Sequence, residues 1–114
     1  MAKEGFRATV EEMRGRLPRP DGARSEVALE RGELLVKLYE PHGHDPQTPH
    51  DRDEVYVVVE GAGEFAMGGE RVPFGPGDLL FAPAGLPHRF ENFGSSVTLW
   101  VMFYGPVGGD PTAA

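Results

Sequence analysis

The feature that most constrains this chain is how regularly glycine and proline interrupt it. Sixteen glycines and eleven prolines fall among 114 residues, and they do not gather in polar tracts. They separate short runs rich in Val, Leu, Phe and Tyr at nearly even spacing, the pattern of an all-β sandwich or barrel. The runs are 25–29, 33–40, 54–60, 63–66, 70–74, 78–82, 88–92 and 97–104. Between them lie Gly61-Ala62-Gly63, Gly68-Gly69, Gly75-Pro76-Gly77 and Gly94-Ser95-Ser96, where glycine supplies the positive φ of tight hairpins and proline presets a turn's second position. From Val55 to Val59 no polar residue intervenes. A sheet with one wet face would alternate, so this strand is expected between two sheets, its outer side covered by a partner subunit or a terminal strand.

One short helix is expected, from Thr9 to about Arg16. Thr9 and Glu12 form a capping-box pair, Val10, Met13 and Leu17 form an apolar stripe, and Pro18 and Pro20 end it. The chain therefore divides into an N-terminal extension at 1–24, a barrel at 25–105 and a tail at 106–114 that reads as disordered. Its length suits one modest core.

Composition removes several classes of function. There is no cysteine, which excludes disulfides, thiolate metal sites and cysteine nucleophiles. A formal net charge of −7 argues against nucleic acid or anionic lipid as partners. The first 17 residues carry charges throughout and contain no apolar signal core, and no apolar run is long enough to span a membrane. The cytoplasm is the expected compartment. One short helix before the first strand is not a helix-turn-helix, so a DNA-binding regulator is not expected.

The chemistry-bearing residues are the four histidines, His42, His44, His50 and His88, and their neighbours. His50 stands four residues before Glu54, and at a strand's period of two both point to one face. His88 follows the turn Pro83-Ala84-Gly85 and shares a strand face with Phe90 and Asn92, which aims it inward. On its own terms each is equally a buried histidine satisfied by one hydrogen bond.

Together the two segments resemble the paired motifs of the cupin superfamily. The second motif, G-x5-P-x-G-x2-H-x3-N, is matched by Gly77, Pro83, Gly85, His88 and Asn92. The first, H-x-H-x3,4-E-x6-G, is matched by His50, Glu54 and Gly61, but Thr48 stands where the first histidine belongs. The resemblance implies a double-stranded β-helix, a small jelly-roll-like barrel, and a homodimer. It also implies one divalent metal ion held by His50, Glu54 and His88. Two imidazoles and a carboxylate suit iron, manganese, nickel, zinc or cobalt, with positions left for water, oxygen or substrate. The fourth ligand is open among Gln47, whose amide oxygen is neutral, and the loop histidines His44 and His42. Tyr39, Tyr56, Phe81, Phe90 and Trp100 are the aromatic candidates for the pocket wall. Such a site suits a metal-dependent oxygenase or isomerase of a small organic acid, ketone or sugar derivative, or else a non-enzymatic sensor or carrier with a structural metal.

Overall fold

A computed structural model describes residues 5–111. Thr9 caps the helix α1 (Val10–Arg14): its side chain accepts from the Glu12 amide at 3.1 Å, and the Glu12 carboxylate accepts from the Thr9 amide at 3.3 Å. The helix is shorter than the sequence suggests because Gly15 caps it at once. Of the predicted stripe only Met13 is buried.

Eight strands follow: β1 (Ser25–Arg31), β2 (Leu34–Tyr39), β3 (Asp53–Glu60), β4 (Gly63–Met67), β5 (Glu70–Phe74), β6 (Leu79–Ala82), β7 (His88–Glu91) and β8 (Thr98–Tyr104). They form a five-stranded sheet ordered β1-β2-β8-β3-β6 and a three-stranded sheet ordered β5-β4-β7. Every pairing is antiparallel. Each predicted run becomes a strand, with no end moved by more than two residues. The fold is thus the all-β double-stranded β-helix that the punctuation and motifs imply. Among the described residues no helix is long and apolar enough to cross a membrane.

The core lies between the two sheets. On β3, Glu54, Tyr56 and Val58 point inward and are buried, while Val55, Val57 and Val59 stay partly exposed on the outer face. The same outer face carries Leu79 and Phe81 of β6, both exposed. Phe90 of β7 packs against Tyr56, Phe65 and Phe74 in the centre of the core. Within the small sheet β4 and the end of β7 come close at Gly63, where an added Cβ would come 2.7 Å from the Glu91 carbonyl oxygen. Asn92 departs from the strand expected for it. It adopts φ 54°, a left-handed conformation asparagine tolerates, and its side chain donates to Glu64 at 2.6 Å.

The N-terminal helix is fastened by charge more than by apolar contact. Glu40, almost fully buried, accepts from Arg14 at 2.7 Å, Arg24 at 2.9 Å and Thr98 at 2.5 Å. Burial pushes the Glu40 carboxyl upward, but the Thr98 and Arg14 hydrogen bonds and the two guanidinium charges outweigh it and hold it below its ordinary 4.5. A carboxylate depressed on folding stabilises the fold above its unfolded value, and that stability is lost as pH falls through the folded one. Glu40→Gln should therefore cost about 1–2 kcal/mol at neutral pH, the value of charge-assisted hydrogen bonds reduced for the exposure of Arg14. Denaturant unfolding at a series of pH values checks it: the gap between wild type and variant should close below pH 4.5.

The segment after Tyr104 turns back onto the barrel. The Gly108 amide donates to the Asp51 carbonyl at 2.7 Å, and the Asp110 amide donates to Asp53 at 3.1 Å. Hydrogen bonds thus hold part of the tail expected to be disordered; residues 112–114 lie outside the described residues.

Candidate metal centre

The two predicted motifs meet across the gap between the sheets. Glu54 comes from β3, His50 from the bend before it, and His88 from the first position of β7 in the other sheet. The Gly85 amide, at its positive φ, donates to the His50 carbonyl at 2.7 Å, and the Ala84 amide donates to Asp53 at 2.9 Å. These bonds tie the turn before His88 to the bend that carries His50.

One donor atom from each of His50, Glu54 and His88 lies within 4.8 Å of the other two. His88 Nε2 is 3.0 Å from Glu54 Oε1, and His50 Nε2 is 3.8 Å from Glu54 Oε2. Glu54 and His88 are buried; His50 is half-buried at the rim, its ring edge-on to Phe103 with centroids 4.9 Å apart. His88 Nδ1 lies 2.8 Å from the Leu86 carbonyl, which can only accept. Nδ1 therefore carries a proton, and Nε2 faces the site, the arrangement that orients a metal-binding histidine.

Proton counting shows what the cluster lacks. The Tyr56 hydroxyl is 2.8 Å from Glu54 Oε2, 2.9 Å from His88 Nε2 and 2.9 Å from Gln47 Oε1, yet it has one proton to give. Glu54 Oε1 is buried and accepts no hydrogen bond, since His88 Nε2, although near, is not aligned with it. A buried carboxylate oxygen without a donor is costly, and a cation among these acceptors would satisfy it. The donor set of imidazole, carboxylate and amide oxygen fits a borderline or hard divalent ion.

Burial works against a charged His88, but the Glu54 carboxylate, the Leu86 carbonyl and the charge of Asp45 outweigh it and raise its pKa above the ordinary 6.5. Tyr56 moves further. Burial, then the charges of Glu54 and Asp45, push its pKa far above that of a free phenol, so it keeps its proton.

Asp45 is the residue the sequence reading missed. It is 2 % exposed and accepts from the Gln47 side chain at 2.5 Å, the Gln47 amide at 3.2 Å, the Phe90 amide at 2.9 Å and the Tyr39 hydroxyl. Since Gln47 Nε2 is given to Asp45, Gln47 Oε1 turns toward Tyr56 and the cluster. A single acid in an irregular loop has no periodicity to betray it; the only sequence signal was its place between His44 and Pro46.

The other candidates are placed as follows. Thr48 is exposed, and so are His42 and His44. His42 sits beside Arg24 and Glu40, and His44 lines a separate hollow with Pro41 and Pro46; neither joins the His50–Glu54–His88 group. A cavity of about 270 Å³ opens beside His50, Glu54 and Gln47. Tyr39 lines it, while Tyr56 lies under the cluster and Phe90 belongs to the core. Phe81 and Trp100 stand on the outer face of the large sheet: Phe81 pairs with Val55, and Trp100 with Leu38 and Val57. The wall is instead made by Lys37, Val101 and Phe103, the inward residues of β2 and β8.

Fold and site together define a double-stranded β-helix with a two-histidine, one-carboxylate cluster at the mouth of a small cavity. The chain matches the cupin domain family over residues 35–104, and it belongs to that family. It is 34% identical over 88 residues to an uncharacterized protein of Streptomyces coelicolor, covering 75% of this chain and 83% of that protein. Two enzymes are similar over shorter stretches, each covering 60% of this chain: gentisate 1,2-dioxygenase of a Ralstonia species, 32% identical, and dimethylsulfoniopropionate lyase of Ruegeria pomeroyi, 33% identical. The match spans 19% of the dioxygenase and 35% of the lyase. A double-stranded β-helix protein of Klebsiella pneumoniae has the same fold: TM-score 0.69, 19% identity, with 89% of this chain and 90% of that chain covered.

Proposed function

We propose that this protein is a metal-dependent enzyme of the oxygenase class acting on a small organic molecule, with one divalent ion on His50, Glu54 and His88. The observation that carries the reading is the buried Glu54 Oε1, which has a histidine nitrogen on each side of its carboxylate and no hydrogen bond of its own. Gln47 supplies the fourth ligand through Oε1, in place of the histidine absent at Thr48. When bound, the ion supplies a Lewis acid toward a substrate oxygen and, as iron, a redox centre. The protein's own groups do the rest. Leu86 holds the His88 proton on Nδ1, Asp45 keeps the Gln47 amide oxygen turned inward, and Tyr56 keeps a proton at Oη for a group that develops negative charge. The cavity admits a small ligand against Tyr39 and Phe103. Similarity to gentisate 1,2-dioxygenase supports the choice of class.

The test is elemental analysis of the purified protein, followed by anaerobic loading with Fe(II) and oxygen-uptake assays on a panel of small organic acids, ketones and sugar derivatives. Bound iron with substrate-dependent oxygen uptake is the expected result. Protein that takes up no divalent ion sinks the reading. A ligand retained without turnover transfers it to a carrier or sensor.

A further inference from the structure

The cavity beside the metal cluster is lined by a cation that has no ion-pair partner among the described residues. Two basic side chains line it, Arg24 and Lys37. Arg24 is already engaged: its Nε donates to the Glu40 carbonyl at 2.9 Å and its terminal nitrogen to the Glu40 carboxylate at 2.9 Å. Lys37 makes no ion pair among the described residues. Its ammonium lies 5.8 Å from the centre of the Phe103 ring, which forms part of the cavity wall.

Position explains why this lysine faces the cavity. In the register of the large sheet, Lys37 pairs with Val101, and Val101 pairs in turn with Tyr56. The three inward residues form one row across β2, β8 and β3, with strands roughly 5 Å apart. Lys37 thus stands two strands from the residue under the metal cluster. Phe103 joins the two ends, because its ring also meets His50 at 4.9 Å. The ammonium and the His50 imidazole are therefore no further apart than the sum of those two distances, so one small molecule can touch both. Between them the wall is Val101, Phe103 and Tyr39.

We propose that the ligand is a small organic monocarboxylate whose carboxylate pairs with Lys37 while an oxygen at its other end faces His50, Glu54 and His88. This rests on the metal reading above for the second end only. A cavity of about 270 Å³ suits a small ligand with a polar group at each end. One uncommitted ammonium matches one negative charge; a phosphate dianion would call on Arg24 as well, which Glu40 already holds. Partial enclosure by the wall makes that single pair stronger than one in open water.

The test uses zinc-loaded and metal-free protein, titrated with 4-oxopentanoate and 5-oxohexanoate and with the neutral amides of both acids. Shifts of backbone amide resonances follow the binding. The acids should bind the zinc-loaded wild type about tenfold or more tighter than their amides, the worth of one charge-assisted hydrogen bond. Lys37→Met keeps the apolar stem and should remove the preference with zinc content unchanged; Lys37→Arg should retain it. A preference that survives Lys37→Met overturns the proposal, as does a wild type that holds zinc and shows none. If the wild type takes up no zinc, the metal reading fails instead, and the acid-over-amide preference of the metal-free protein still decides the role of Lys37.

Discussion

Replacing His88 with alanine should abolish stoichiometric metal binding. Loss of an outer partner of a metal ligand costs roughly 10–100-fold in affinity, and loss of a buried ligand should cost more. Gln47→Leu should fall inside that 10–100-fold range, because His50, Glu54 and His88 remain. Elemental analysis after dialysis against a weak chelator reads both, with circular dichroism as the control for folding. An unchanged metal-to-protein ratio in the His88 variant would remove the central assignment. Equal loss from Gln47→Leu and from His44→Ala would show that the fourth position is not specific to Gln47.

The largest effect on stability is expected at Phe90. Phe90→Ala should destabilise the fold by about 3–5 kcal/mol, the range for truncating a buried phenylalanine. Its ring meets Tyr56 at 4.9 Å, Phe65 at 4.8 Å and Phe74 at 5.3 Å between centroids, so the cavity left behind has aromatic walls that cannot close it. Phe81→Ala should cost no more than about 1 kcal/mol, since 39% of that residue is already in contact with solvent. Denaturant unfolding of the two variants in parallel gives the comparison. Equal losses would mean that the outer face around Phe81 is covered in solution.

The two phenylalanines also show where reading the chain alone stops. Both are candidates for the pocket wall, but Phe90 stands between the charged Arg89 and Glu91, whereas Phe81 lies in the wholly apolar run Leu79–Ala82. A period of two says that neighbours point to opposite faces, but not which face is inside when both are apolar. Val55–Val59 has the same ambiguity. Only the pairing with β6 and β8 shows that Tyr56 looks into the barrel and Val55 out of it.

Punctuation by glycine and proline determined the eight strands and the all-β class, because those residues act locally, through φ. Motif spacing likewise determined that His50, Glu54 and His88 should converge, since the family resemblance carries positions along the chain. Tertiary structure alone decided the rest. Asp45 orients Gln47, Tyr56 stands between three acceptors, and Lys37 looks into the cavity with no ion pair among the described residues. Each of these depends on atoms from segments far apart in the chain, and on how many hydrogen bonds are left over once the segments meet. That balance does not exist until the two sheets close, and so no periodicity in the sequence records it.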